Sequence, residues 1–336
     1  MMKDIELPRK VLIGDKALYE IDDVVEELSL DGTPMVLCDE TTKKIAGDTV
    51  AEELDAGTTL TEDSSEKELE ILQSTIIGEE IQYVVGVGGG RVLDTGKVLA
   101  FNTKRPFISV PTSASHDGIA SPQASLKKDR PSSIRVHSPL GIVADIGVIS
   151  GSPKRLLAAG CADAISNYTA VLDWKLAHWE RGEYYGDYAS ALSEMSARIV
   201  MENSEKIMAD VSILVEALIS SGVAIGIAGS SRPCSGSEHM FSHTLDSICD
   251  EPALHGEQCG VGAIMMAYLH DADWKAVRNA LKKCGAPTTA KKLGVSKDRI
   301  IEALTKAHGI RDRYTILRDG LSRKKAVEVA EATGVV

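Results

Sequence analysis

IQYVVGVGGGRVLDTGKVLAFNTKRPFISVPTSASHDGIAS, residues 81–121, is the stretch whose reading decides the fold. Residues 81–87 form an apolar, β-branched run of strand length. Gly86, Gly88, Gly89 and Gly90 follow at once, and over residues 91–101 Val92, Thr95, Leu99 and Phe101 recur near one helical face. Strand, glycine turn and helix start together make a phosphate cradle, because backbone N–H groups without Cβ neighbours approach phosphate oxygens closely and the helix N-terminus adds partial positive charge. A second apolar run, residues 106–110, ends in Pro111-Thr112-Ser113-Ala114-Ser115-His116-Asp117-Gly118. Small hydroxyl residues and an acid at the C-terminal end of a strand mark the ligand edge of an open α/β sheet.

Two familiar glycine fingerprints fail here. G-x-G-x-x-G would need a glycine where Arg91 stands, and the acid it requires about 20 residues on is missing, that region being Val110. A P-loop fails on spacing and on its hydroxyl, since Gly96-Lys97 is followed by Val98. A dinucleotide pyrophosphate site of a different topology is the best remaining reading. The alternative is a tight strand–helix turn with no ligand, and the glycines alone leave both open.

Working outward, residues 9–14 and 34–39 read as strands with a helix over 17–28 between them. The second strand ends in Asp39-Glu40-Thr41-Thr42. Asp39 at a strand tip suits an adenosine ribose, while a helix N-cap or a solvated strand end is the commoner role for such an acid. A helix over 42–54, a strand over 57–60 and a helix over 66–77 complete the approach to residue 81. Alternating strands and helices predict an open, largely parallel sheet. After Ser121 the pattern loosens around Pro122, Pro131 and Pro139, with Lys127, Lys128, Arg130 and Arg135 between them, before a strand over 141–145. The texture changes at Ser150-Gly151-Ser152-Pro153, which divides the chain into an α/β domain, residues 1–151, and a helical domain, residues 152–336. Helical patterns cover 153–181, 187–220, 236–247, 256–270, 273–285, 297–307 and 322–333. Residues 223–227 read either as a short strand or as a small-residue helix.

The 336 residues suffice for two domains. A net charge of −12 without any basic cluster argues against nucleic acid and against an anionic membrane surface as partners. The first ten residues lack an apolar signal core, and no apolar run is long enough to span a bilayer, so a cytoplasmic protein without membrane insertion is expected. Six cysteines show no C-x-x-C pair, which reads as reduced, mostly buried thiols rather than a metal site.

Three places in the helical half carry candidate chemistry. In Gly160-Cys161-Ala162-Asp163-Ala164-Ile165-Ser166-Asn167 a carboxylate stands among small and apolar residues, which is costly without a cation. In Ser235-Gly236-Ser237-Glu238-His239-Met240-Phe241-Ser242-His243 two histidines four apart share a helix face. Leu254-His255-Gly256-Glu257-Gln258 is the third. Imidazoles plus a carboxylate with one open position is the plan of a catalytic zinc site. Spacing alone favours His239 and His243 as the ligand pair. The other reading is a capping Asp and ordinary core histidines. His116, His137, His178, His270 and His308 have no comparable setting and read as structural or exposed.

GVGGGRVLDTGK, PTSASHDGIASPQASL, GCADAISNYTAV, GSSRPCSGSEHMFSHTLD and LHGEQCGVG together resemble the superfamily of glycerol dehydrogenases, dehydroquinate synthases and iron-type alcohol dehydrogenases. The resemblance covers essentially the whole chain, and within the superfamily the chain closely resembles the archaeal sn-glycerol-1-phosphate dehydrogenases, which make the glycerol phosphate backbone of archaeal lipids. The resemblance implies a dehydroquinate-synthase-like fold, α/β, with a Rossmann-like parallel-sheet domain for NAD(H) or NADP(H) and an all-helical domain for zinc. Catalysis would lie in the cleft between them. Carried over by position, Asp163, His239 and His255 match the metal ligands, with His243 a substrate residue, overruling the spacing argument. Asp117 matches a substrate-contacting acid. Gly89, Gly90, Arg91, Val92 and Asp94 match the pyrophosphate loop, Thr112, Ser113, Ser115 and Ser121 the rest of the cofactor groove, and Asp39 the ribose position. Iron-type relatives carry a histidine four residues after the first aspartate. Asn167 stands there in this chain, which favours three protein ligands and zinc. Asp117, Asp163 and His243 are the expected catalytic set.

The implied reaction reduces dihydroxyacetone phosphate reversibly. For the substrate phosphate, Arg232 in Ser231-Arg232-Pro233-Cys234-Ser235-Gly236-Ser237 is the expected contact, with Lys127 or Lys128 as alternatives and a surface carboxylate partner for Arg232 as the bland reading. A homo-oligomer is expected. The rival functions are a glycerol dehydrogenase acting on an unphosphorylated polyol, and a non-catalytic nucleotide-binding protein that would have lost the metal triad.

Overall fold

The computed structural model describes residues 5–126 and 132–336. Lys127, Lys128 and Arg130 lie outside the described residues. The chain divides into two compact units, Met1–Pro153 and Lys154–Val336, against an expected division after residue 151.

The first unit is built on β1 (Lys10–Gly14), β2 (Pro34–Cys38), β3 (Thr58–Leu60), β4 (Tyr83–Gly88), β5 (Phe107–Pro111) and β8 (Gly141–Asp145). They form one all-parallel sheet in the order β1-β8-β5-β4-β2-β3. The run at residue 81 becomes the wholly buried β4, with Met35 of β2 on one side and Phe107 of β5 on the other as partners of Val84. Val36, Val85, Val87, Ile108 and Val143 leave the sheet to meet Ile21, Val24 and Val50 in one apolar core. Strand order reverses between β2 and β4, which opens a crevice at their carboxyl ends, and the two sequence features singled out for a nucleotide, Asp39 and the glycine turn, sit at those ends.

Two elements differ from expectation. The helix over 42–54 is interrupted: Glu40–Thr42 is α-helical, Lys43–Gly47 widens to a π turn, and Asp48–Glu53 resumes. In the loosened segment, β6 (Gln123–Leu126) and β7 (Ser132–Arg135) pair antiparallel as a ribbon apart from the main sheet. Its alternation is too polar and too short to read as strands.

The second unit is helical throughout its described elements. Its long helix, Lys154–Arg181, is buried along most of its length, and His255–Leu269 packs against it. A Cβ on Gly256 would stand 2.1 Å from the Ala159 carbonyl oxygen, and one on Gly260 would stand 2.8 Å from Ala162 Cβ. These glycines let the two backbones approach closely, and so bring the first residue of one helix, His255, beside Asp163 in the middle of the other. Ser237–Ile248, Trp274–Lys283, Lys297–Lys306 and Arg323–Ala332 follow the expected patterns. The expected helix over 187–220 is instead two, Asp187–Glu202 and Ser212–Ala228, and residues 223–227 belong to the second of them. The break buries Ser204, Ile207 and Val211 without glycine or proline to announce it.

Candidate functional site

In the first unit the helix Gly90–Thr103 begins at Gly89 without a side-chain cap, so its leading N–H groups are left for another acceptor. The space ahead of it is shaped by His116. A Cβ on Gly90 would come within 2.0 Å of His116 Nε2, and one on Gly118 within 2.2 Å of Cε1. Gly118 N–H donates to His116 Nδ1 at 2.9 Å, which holds the ring there. Thr112 N–H donates to the Gly88 carbonyl at 3.1 Å, and Ser113 Oγ lies beside Gly89. Val92, Thr112, Ser113 and Ser121 are buried and Ser115 is half-buried.

Asp39 is the helix N-cap that its position allowed. Its Oδ1 caps the following turn, accepting from Thr41 N–H at 3.0 Å and Thr42 N–H at 2.8 Å, while Arg91 lies 3.1 Å from Oδ2. Burial pushes this carboxyl up, but the Thr42 hydrogen bonds and Arg91 outweigh it and leave the pKa below its usual value. Asp94, matched to the pyrophosphate loop, is turned inward: one oxygen is 2.7 Å from Lys97 Nζ and the other accepts from Ser125 N–H at 2.9 Å.

Lys97 is a residue that sequence reasoning passed over. Its side chain is fully buried, and besides Asp94 it donates to the carbonyls of Gly118, at 2.9 Å, and of Ser121 and Gln123. It thus pins the loop that carries Asp117, and a lysine in a helix after glycines had no signal beyond a failed P-loop. Desolvation raises the pKa of Asp117, with His116 and Lys97 opposing it.

In the second unit, Asp163, His239 and His255 converge. Asp163 Oδ1 is 3.9 Å from His239 Nε2 and 3.8 Å from His255 Nε2, with the imidazole centroids 4.9 Å apart. Each ring is oriented by its other nitrogen: His239 Nδ1 lies 2.9 Å from Glu238 Oε1, and His255 Nδ1 lies 3.1 Å from Ser242 Oγ. Such partners fix which nitrogen faces a metal. Burial holds the pKa of His239 well below its usual value, helped by His243, Arg311 and Arg313, which keeps the ring in the neutral form that ligates. Glu238 is itself buried and pushed up to about 7, first by desolvation and then by Asp173.

A four-coordinate zinc about 2.1 Å from each donor sets donors about 3.4 Å apart, and the two Asp163 distances are within about half an ångström of that. The residues present fit the ion. His243, favoured by spacing alone, groups not with His239 but with Asp246 and His255, in a second set whose donor atoms lie within 4.8 Å of one another: its Nδ1 is 3.6 Å from Asp246 Oδ2, and its ring stacks on His255 at 5.6 Å. Asn167 donates to Ser221 Oγ at 2.8 Å. The residue that the sequence reading missed is Cys259. Its sulfur joins Asp163, His239 and His255 in a group whose donor atoms all lie within 4.8 Å of one another. Its signal was the i,i+4 spacing from His255, one turn along the same face. Burial raises its thiol pKa well above the usual value, so it is protonated here.

Arg232, expected at the substrate phosphate, donates to the Tyr314 carbonyl at 2.8 Å and to the Glu183 carboxylate. All six cysteines are free thiols, five of them buried. Among the described residues no helix is long and apolar enough to cross a membrane.

Residues 12–153 match the family model for iron-containing alcohol dehydrogenases. The fold is shared with solved structures of low identity. A probable glycerol dehydrogenase from Sinorhizobium meliloti 1021 superposes with a TM-score of 0.82 at 19% identity, over 100% of both chains. Sulfoacetaldehyde reductase from Bifidobacterium kashiwanohense does so at 0.77 and 17%, over 99% of both. Sequence relatives are far nearer. Glycerol-1-phosphate dehydrogenase (NAD(P)+) of Methanosarcina mazei is 51% identical over 345 aligned residues, 99% of this chain and 97% of the relative. That of Pyrococcus furiosus is 47% identical over 100% of both. With that identity across its whole length, and with the fold of the wider group, the chain belongs to the family of NAD(P)+-dependent glycerol-1-phosphate dehydrogenases.

Proposed function

We propose that the chain interconverts dihydroxyacetone phosphate and sn-glycerol 1-phosphate with NADH or NADPH at a zinc ion held by Asp163, His239 and His255. The observation that carries the metal assignment is the convergence of one carboxylate oxygen and two Nε2 atoms whose rings are each fixed through Nδ1. Zinc in this position supplies a Lewis acid for a carbonyl oxygen and lowers the pKa of an alcohol in the reverse direction. The nicotinamide supplies or accepts the hydride.

The protein's own part is positioning and proton transfer. Glu238 and Ser242 hold the two imidazoles. His243, steadied by Asp246, and Asp117 are assigned to the substrate hydroxyls and to relay of the proton. The uncapped start of the helix Gly90–Thr103, with Gly89, Gly90, Arg91 and Val92, is assigned to the pyrophosphate, and Thr112, Ser113, Ser115 and Ser121 to the remaining groove. Asp39 and Arg91 are assigned to the adenosine ribose. Asp94 serves the same region indirectly, by fixing Lys97 and the ribbon. A cytoplasmic homo-oligomer completes the reading.

Metal-stripped protein should lose turnover and regain it with zinc. Asp163→Asn should abolish turnover by about 1,000-fold or more while leaving binding of the dinucleotide largely intact. Full activity after stripping would reject the metal. A preference for glycerol or free dihydroxyacetone over the phosphorylated triose would make the chain a glycerol dehydrogenase instead.

A further inference from the structure

The second unit holds an open cavity of about 850 Å³ whose lining includes five arginines, Arg181, Arg232, Arg311, Arg313 and Arg318. Four of them have partners within the protein. Arg181 lies over the Tyr314 ring at 4.5 Å, and Arg318 is 2.8 Å from Glu180. Arg232 is bound by Glu183 and the Tyr314 carbonyl. Arg313 donates to the Ser235 carbonyl and, at 2.9 Å, to Ser231 Oγ. Arg311 is the exception: although half-buried, it meets no acceptor or carboxylate among the described residues.

A guanidinium stays charged at any physiological pH, and holding one away from water without a counter-charge is unfavourable. Here the cost is compounded, because Arg232 and Arg311 both repel Arg313. Desolvation, with the other two guanidiniums adding to it, pushes Arg313 down to about 10. A protein of net charge −12 has concentrated positive charge at one place and left one fork unused. The charge of that place is felt at the metal centre. Arg313 grips Ser231 and Ser235, in the segment that leads into the helix carrying His239, and the field of Arg311 reaches both His239 and Cys259.

We propose that Arg311 is the residue that receives the phosphate group of the substrate, with Arg313 and Arg232 held behind it by their protein partners as fixed positive charge. A dianionic phosphate would supply the counter-charge that the free protein lacks, and the planar fork suits two phosphate oxygens at once. Arg232, whose donors on both terminal nitrogens are engaged, is a wall of the site rather than its contact. This inference rests on the triose phosphate reading above and names the specificity residue within it.

The test compares kcat/KM for dihydroxyacetone phosphate with kcat/KM for free dihydroxyacetone in the zinc-loaded protein. In Arg311→Ala the ratio should fall about 30-fold or more, with a smaller fall in Arg311→Lys, which keeps charge without the fork. A ratio within about threefold of the parent would overturn the assignment. The unsubstituted protein gives a second measurement that does not depend on a variant folding. Phenylglyoxal modification of Arg311, read by peptide mass spectrometry, should be slowed by dihydroxyacetone phosphate and by inorganic phosphate, and not by free dihydroxyacetone. Protection by NADPH but not by NADH would mean that Arg311 serves the cofactor's 2′-phosphate, and would also overturn the assignment. If the parent itself prefers free dihydroxyacetone, the substrate reading fails and the inference with it. If the parent prefers the phosphate ester and Arg311→Ala keeps that preference, the inference alone fails.

Discussion

At the scale of single residues, Asp39 caps a turn, and its assignment to the ribose makes it a test of cofactor selectivity. Its Oδ1 caps a turn and its Oδ2 meets Arg91. Removing the carboxylate should weaken repulsion of a 2′-phosphate and free Arg91 to pair with it. Asp39→Gly should therefore raise the NADPH to NADH ratio of kcat/KM by about fivefold, equivalent to ~1 kcal/mol of surface electrostatics. Glycine is tolerated at an N-cap at a cost of a few tenths of a kcal/mol, so thermal stability should barely move. An unchanged ratio would mean that Asp39 does not face the ribose. Legibility in the sequence also divides at this scale. Asp163, His239 and His255 were found through resemblance, since spacing alone pointed to His239 with His243, and only the orientation of the rings separates the two. Cys259 had only its i,i+4 spacing from His255, and Lys97 and Arg311 gave no comparable signal, because a buried or unpaired charge is recognised by its surroundings and not by its neighbours in the chain.

At the scale of elements, strands and long helices were readable because each buries a face with its own period. The ribbon β6–β7 and the break before Ser212 were not, because the residues at both are polar and their conformation is imposed by packing. One buried group ties the elements around the metal unit. Asp173, fully buried on the helix Lys154–Arg181, accepts from Ser237 N–H at 2.7 Å, from Ile316 N–H at 2.7 Å and from the Ser237 hydroxyl, with His270 Nε2 at 2.9 Å. Desolvation would raise its pKa, but the His270 contact and the Ser237 hydrogen bonds prevail and lower it below its usual value. Because the folded-state pKa is depressed, its stabilisation is present above the ordinary carboxylate range and is lost as pH falls through the lowered value. Asp173→Asn should cost about 3 kcal/mol near neutrality and lower Tm by several degrees. It should also make stability less dependent on pH below about 4. An acid limb equally steep in both proteins would remove Asp173 from this role.

At the scale of the molecule, the chain is two compact units, each with its own buried apolar residues, and every proposed metal ligand lies in the second. Residues 154–336 produced alone should therefore melt cooperatively and bind one zinc. The fragment should gain about 2.7 kcal/mol of stability when zinc is present at 100 times its Kd. A fragment that stays unfolded with zinc present would show that the helical unit needs the sheet unit to form. The division was legible as a change of texture near residue 150, where strand patterns stop and helical ones take over.

His116 carries a consequence for how such a chain can change over generations. One imidazole fills the space that a Cβ would need at both Gly90 and Gly118, at 2.0 Å and 2.2 Å. Three positions spread over 29 residues are thus bound into one historical unit, in which the order of mutation matters. Alanine at position 90 or 118 meets a clash while the ring is present, but either becomes accessible once His116 has given way to a small side chain. The reverse route is harder, since a lineage that had already accepted a side chain at either glycine could regain histidine at 116 only by turning the ring out of this place or by undoing that step.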